Sequence, residues 1–559
     1  MKLFTFDSSR NSKSLITAWT YVALFFVMFI ILPLGGAVFS VKSDDIRYVF
    51  SNDIWKTALI NTFIECICST TLSVVIGYIF AYAVEKGGIP FKKFFSIIPL
   101  LHIIMPPFVC GLSFIFLFGR QGIITHKILG LDVSLYGLPA LVIAQVLCFF
   151  PIAYLICAEN LRGINLNLEK AASVMGAGRF KIFFTVTLPL SVPAIVSSFL
   201  FIAVGVMSDF GNPLIVGGRF RVLAVELYTQ LTGWLKVGSS VVLGLLLMIP
   251  SLALFFLQGW FSKKNEKKAS VVGAKGDFSK KLDQNAGGQK MPLVTRVLLT
   301  IFVVFVSSII LLQVGSLVVG SFQKLWGIDS TFTLKHVKSV VKYLGELKNS
   351  VLFAFLGAVL SVSVAIFSAY IVNRTDFPLR KTIDVLSQIS SAIPGSLLGL
   401  SFSIMANKLN FGYSPLLIVA VMATAFLPFA YRSVSGSFMQ ISRSLDDGSR
   451  SLGANQIHTL NAILLPVSRG GILSAFIYNF IRGTGTLSTV IFLVSFDTPL
   501  ASVTLINLAE LGEWGKAASL AVVLTLLTFV ILFAGLLIDR IFIKYRKHYG
   551  AKNGISFYK

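Results

Sequence analysis

The chain alternates long apolar runs with short polar segments, and the runs are of one size class. Crossing a hydrocarbon core of about 30 Å takes roughly 20 residues of helix. Twelve runs meet that length, at 17 to 39, 58 to 84, 94 to 118, 136 to 158, 190 to 212, 238 to 261, 297 to 320, 350 to 372, 382 to 405, 413 to 435, 467 to 490 and 517 to 540. This pattern predicts an all-α polytopic membrane protein of about 12 transmembrane helices. The first run is too long for a signal peptide and ends in no clear small-residue cleavage site, so it is expected to stay as an uncleaved anchor.

The runs repeat. At an offset of 288, Asn61-Thr62 meets Asn349-Ser350, Ala81-Tyr82 meets Ala369-Tyr370, Pro90 meets Pro378, Pro106 meets Pro394, and Gly111-Leu112-Ser113-Phe114 meets Gly399-Leu400-Ser401-Phe402. After an eleven-residue shortening the offset becomes 277, where Pro151-x-Ala153-Tyr154 meets Pro428-x-Ala430-Tyr431. A six-span unit has been duplicated and fused. An even number of spans keeps both copies in one orientation, giving parallel repeats about an axis along the membrane normal, with a pathway expected at their interface. The expected division is a first domain over 1–262, a basic linker over 263–296 and a second domain over 297–559. The linker stretch KKNEKKASVVGAKGDFSKK is polar and lacks apolar periodicity.

Two polar loops share a skeleton at the 277 offset: Leu168 to Pro189, LEKAASVMGAGRFKIFFTVTLP, and Leu445 to Pro466, LDDGSRSLGANQIHTLNAILLP. In each, a glycine (Gly176 or Gly453) is followed after nine residues by a β-branched residue and then x-Leu-Pro. This predicts two short helices joined at a glycine of positive φ, with the proline opening the next helix. The pattern resembles the EAA loop of ABC importer permeases. That resemblance implies a cytoplasmic loop whose first helix docks on an ATPase subunit, through Glu169, Lys170, Ala171, Ala172 and Gly176 in one copy and Asp446, Asp447, Gly448, Ser449 and Gly453 in the other. The E-A-A positions are here Lys170-Ala171-Ala172 and Asp447-Gly448-Ser449, with an acid one residue earlier in both, so the two docking contacts are expected to be unequal. An ordinary amphipathic loop would not recur at a fixed offset.

Composition agrees with the apolar pattern. Only 13% of the 559 residues are charged and 55% are hydrophobic, against about 25% charged in soluble globules. The net charge of +24 sits in short loops between apolar runs, which fits an anionic membrane face rather than nucleic acid. With both EAA-like loops inside, the termini and linker are cytoplasmic. Of the 48 Lys and Arg, 32 then fall inside, 15 outside, and Arg482 within a span, the bias that membrane insertion favours. Five cysteines scattered in apolar runs imply neither a disulfide framework nor a metal site.

A second resemblance, to ferric-iron importer permeases, rests on the fused double-length chain and on Ser208-Asp209-Phe210-Gly211-Asn212-Pro213 followed by Gly217-Gly218 and Val222-Leu223-Ala224. It implies ferric iron as substrate, a bacterial inner-membrane location, an extracytoplasmic solute-binding protein and two ATPase subunits. Fused permeases for phosphonates, thiamine and polyamines share the architecture. The sequence contains no Gly-x4-Gly-Lys-Ser/Thr phosphate loop, so ATP–Mg is expected on the partner subunits, with no cofactor, metal or catalytic residue in this chain.

Ionisable residues inside spans mark functional positions. Glu65, Asp209 and Arg482 are the candidates. Asp209 corresponds to Thr486, one helical turn beyond Arg482. Asp209 and Arg482, with Asn479, Thr484 and Thr486, either line an outer gate or transient cation site, or form a buried salt bridge that holds the halves in register. Glu65 is expected to hydrogen-bond a neighbouring helix, and His102 to satisfy a kink near Pro106. A secondary transporter would leave the twin loops without a purpose, and a membrane enzyme would need a cluster of catalytic groups that five scattered histidines do not supply.

Overall fold

A computed structural model of the chain describes residues 13–51, 53–131, 135–272, 291–412 and 415–552. The described residues are almost entirely helical, apart from one exposed hairpin, Gln323–Leu325 with Asp329–Phe332. Among them, ten helices are long and apolar enough to cross a membrane, and two bent helix pairs raise the number to as many as twelve.

Each half is built on three mutually packed helices. Ile54–Glu85, Leu138–Gly163 and Leu188–Met207 form the first set, and Leu344–Arg374, Pro415–Met439 and Arg469–Thr484 form the second. Small residues let these helices meet closely. A Cβ on Gly77 would fall 2.5 Å from Ala153 Cβ, and one on Gly357 3.1 Å from Met422 Cβ. The repeated Asn-Thr/Ser pair has one job in both halves. Thr62 Oγ1 accepts from Leu223 N at 3.0 Å and Ser350 Oγ from Ala501 N at 2.9 Å, each satisfying a free N–H at the start of a helix, Leu223–Thr232 or Ala501–Glu510. Asn61 and Asn349 donate to the neighbouring Arg221 and Pro499 carbonyls.

The first helix of each half packs across the boundary between the halves, and Leu293–Phe322 also lies along Trp514–Lys552 of its own half. Ile16–Val38 packs on Leu344–Arg374 and Gly395–Lys408, with Trp19 against Phe377 and Phe29 stacked on Phe402. Leu293–Phe322 packs on Pro107–Phe118 and Ile54–Glu85. These contacts bury apolar side chains of each half against the other and tie the repeats together.

Several expected elements differ in the structure. The runs 94 to 118 and 382 to 405 are not single helices. Each breaks at its proline, into Lys92–Ile104 and Pro107–Phe118, and into Arg380–Ala392 and Gly395–Lys408 with a bend of 106°. Met105 and Ile393 are extended because the residue before proline is pushed out of the helical region. An α-helix opens at the Leu-Pro of each twin loop as expected, at Leu188 and Leu465 with the proline in its first turn, but it continues directly from helical turns that precede it. Arg179–Met207 runs through Pro189, with a π-turn at Phe183–Thr187 that takes up the missing N–H. Its counterpart carries a π-turn at Leu460–Leu464, then bends by 75° at Ser468, where Gly470-Gly471 replaces Pro193-Ala194. The run 467 to 490 therefore ends as helix at Thr484. Helix extends into both ends of the 263–296 segment: Val237–Val272 stays helical through Lys-, Glu- and Ala-rich sequence, and the next helix starts at Leu293. Residues 273–290 of that linker lie outside the described residues.

Candidate functional site: twin loops and an inter-half cavity

The twin loops fold alike. Leu166–Val174 and Ser444–Ser451 are their first helices. Each is followed by a glycine in the left-handed region, Gly176 at φ +83° and Gly453 at φ +82°. Each ends in the same closure, Ala177 N to Ala172 O at 3.0 Å and Ala454 N to Ser449 O at 3.1 Å, the double-back that left-handed glycine permits.

The acid one residue before the E-A-A position is the buried one in both copies. Lys86 Nζ lies 3.1 Å from Glu169 Oε1, and Thr187 Oγ1 donates to the same oxygen at 3.3 Å. In the second half Arg374 Nη1 lies 2.8 Å from Asp446 Oδ2, while Arg374 Nη2 donates to the carbonyls of Phe438 and Ile441. Lys86 and Arg374 stand at the ends of equivalent spans, 288 apart. The sequence pattern had not singled them out, although a shared basic residue at the repeat offset was a usable signal. Ala172 and Ser449 are buried beneath these pairs, Ser449 bonded to Thr459. Lys170, Ala171, Asp447 and Gly448 face outward. The exposed tips carry Val174 and Met175 in one loop and Leu452 in the other, each 80% or more exposed.

Between the halves lies a cavity of about 260 Å³. Its lining follows the 277 offset: Phe149 with Phe426, Ile152 with Phe429, Phe201 with Tyr478, Gly205 with Arg482, Ser208 with Gly485, and Asp209 with Thr486. The halves differ where charge is concerned. A Cβ on Gly205 would lie 2.9 Å from the Phe149 ring, so that position is filled by an aromatic side chain, whereas its equivalent carries the Arg482 guanidinium. Arg432 lines the same cavity in place of Leu155. It is among the charges assigned to the inside loops, although it falls within both the run 413 to 435 and the helix Pro415–Met439. Gly485 abuts Pro106 of the other half so closely that a Cβ there would meet Pro106 Cβ at 2.6 Å.

Asp209 and Arg482 share this cavity but form no ion pair. The Asp209 carboxylate accepts from Asn212 Nδ2 at 2.8 Å and Gln145 Nε2 at 3.0 Å. Gln145 Nε2 also donates to Glu65, and Ser69 Oγ donates to Gln145 Oε1 at 2.8 Å. One buried amide thus bridges both carboxylates of the first half. Glu65 has the neighbouring-helix partner expected of it in Gln145, a neutral residue that carries no charge signal in the sequence. Asn479 and Thr484 do not reach the cavity. Asn479 donates to Ser361 at 2.8 Å and so fastens the Arg469–Thr484 helix to Leu344–Arg374, while Thr484 donates to the Ile481 carbonyl of its own helix at 2.9 Å. Thr486 lines the cavity and bonds Thr489. His102 is buried with neither ring nitrogen bonded, and it does not satisfy the Pro106 break.

Two helical repeats, whose first helices pack across the boundary between them and which enclose a partly polar cavity, define a membrane permease. The chain belongs to the family of binding-protein-dependent transport system inner membrane components, whose model matches twice, at residues 73–267 and 357–544. It is 32% identical over 460 residues to the ferric transport system permease protein FbpB of Actinobacillus pleuropneumoniae, covering 79% of this chain and 65% of that relative's length. It is 24% identical over 479 residues to the Fe(3+)-transport system permease protein FbpB 2 of Haemophilus influenzae, covering 85% of this chain and 88% of the relative. The molybdenum transport system permease protein ModB of Escherichia coli is 25% identical over 188 residues, 32% of this chain and 81% of the relative.

Proposed function

We propose that this chain is the permease subunit of an ATP-driven importer of ferric iron. In this reading the face bearing the Gly176 and Gly453 loops is cytoplasmic, as are the termini and the 263–296 linker between domains 1–262 and 297–559. Two ATPase subunits holding ATP–Mg dock on Leu166–Val174 and Ser444–Ser451, and a solute-binding protein delivers cargo from the opposite face. The observation that carries the reading is the duplicated loop construction: the same left-handed glycine, the same closure and the same buried acid paired to the end of an equivalent span. A buried ion pair fixes the loop to a span that borders the pathway helices, so movement of the docked helix is passed on to them rather than absorbed. Iron as cargo is supported by the printed names of the relatives above.

The test is reconstitution with the cognate ATPase subunits and binding protein in proteoliposomes, following ATP hydrolysis and radio-iron uptake. The reading requires ATPase activity that rises with loaded binding protein and uptake that depends on ATP. Hydrolysis by the purified chain alone, or uptake without ATP, refutes it.

A further inference from the structure

We propose that cargo crosses the inter-half cavity as an anion, recognised through its oxygen atoms by Arg482 and Arg432, so that any ferric ion passes as an anionic complex and not as the bare cation. This rests on the reading of the cavity as the transport pathway. Three observations carry it. First, both guanidiniums line the cavity, and among the described residues no hydrogen bond or ion pair occupies Arg482. Arg432 uses only its Nε, donating to Gln388 at 3.1 Å. Planar guanidinium groups with free N–H donors match carboxylate and phosphate oxygens two at a time.

Second, the one carboxylate in the lining is already engaged. Asp209 accepts from Asn212 and Gln145 and offers a cation little beyond what those bonds leave. Among the described residues no three His, Cys, Asp or Glu side chains converge to hold a metal ion. A trivalent cation entering this space would meet two positive groups at three times the repulsion felt by a monovalent one. Third, Ser208 Oγ and Ser390 Oγ line the cavity with no partner, and Ser390 is only 3% exposed. A hydroxyl kept dry and unbonded is a donor awaiting an acceptor, and oxyanion oxygens are acceptors.

The same chemistry is offered by a ferric carboxylate or phosphate complex and by a free oxyanion, and double labelling separates them. Uptake is measured in cells carrying the complete transporter, supplied with ferric citrate or ferric phosphate labelled in both the iron and the anion. Entry of both labels supports the proposal with a complex as cargo. Entry of the anion label alone supports it with the free oxyanion as cargo and removes the ferric reading of the protein. Entry of iron alone overturns the proposal while leaving the ferric permease intact. In the two supporting cases Arg482→Gln is expected to cut uptake of the anion label at least tenfold, Arg482→Lys to retain part of it, and Arg482→Glu to abolish it. Membrane expression and binding-protein-stimulated ATP hydrolysis are followed in parallel, so that loss of folding or assembly is distinguished from loss of cargo recognition. Uptake that is unchanged or raised in Arg482→Gln or Arg482→Glu shows that the cavity does not select an anion.

Discussion

The Arg374 guanidinium holds the Asp446 carboxylate at 2.8 Å and caps two carbonyls at the end of Pro415–Met439, with its own side chain 3% exposed. One cation thereby fastens the second twin-loop helix to two spans at once. Breaking such a pair leaves a lone buried charge and costs about 3 to 5 kcal/mol. Arg374→Met should lower the melting temperature of the purified permease and release its ATPase partner. Arg374→Met with Asp446→Leu should recover much of the melting temperature, because no lone charge remains. No recovery in the double variant would mean that the carbonyl contacts, rather than the ion pair, carry the anchoring.

Lys86 and Glu169 form the lighter version of that joint, a single ammonium contact with a threonine hydroxyl beside it. A hydrogen bond to a charged group contributes about 1.5 to 3 kcal/mol. Lys86→Met should therefore lower the melting temperature less than Arg374→Met does, and the ratio of ATPase retained after purification should follow the same order. The reverse order would contradict the structural asymmetry.

Gly176 and Gly453 have open space where a side chain would go, so substitution there acts only through the backbone. Holding a β-branched residue in the left-handed region costs about 1 to 2 kcal/mol, too little to unfold the protein. Gly176→Val and Gly453→Val should each reach the membrane at normal levels while ATP-dependent uptake and ATPase association fall. Normal uptake in both variants would separate these loops from coupling.

Lys170 and Asp447 occupy equivalent outward positions with opposite charge. A partner surface matched to both must differ at its two contacts. Asp447→Lys is expected to weaken ATPase binding more than Lys170→Asp, as read by co-purification at low and high salt. Equal losses would show that the exposed charges do not distinguish the two contacts.

Gln145 donates to Glu65 and to Asp209, so Gln145→Leu removes two hydrogen bonds from buried carboxylates in one step. Leaving a buried polar group without its hydrogen bond costs about 1 to 3 kcal/mol. The variant should show the largest drop in melting temperature of any single neutral substitution near the cavity, well beyond that of Thr486→Val, which loses only a hydroxyl pair with Thr489. Similar drops would mean that the carboxylates find other donors.

Run lengths, the 288 and 277 offsets and the twin-loop glycines determine the class, the duplication and the positive φ at Gly176 and Gly453, because each depends on local chemistry: apolar length, chain spacing, and a backbone region closed to most side chains. Asn61-Thr62 and Asn349-Ser350 were visible as a repeat, but their role in holding the starts of Leu223–Thr232 and Ala501–Glu510 needed partners about 150 residues or more away. Only the tertiary structure decided that Asp209 is bound by Gln145 and Asn212 instead of Arg482, that Asn479 and Thr484 face away from the cavity, and that Lys86 and Arg374 hold the buried acids of the twin loops. The offset fixes which positions are equivalent, but a hydrogen bond is decided within about 3 Å. A neutral glutamine on an adjacent helix can take a carboxylate that charge alone would assign to an arginine.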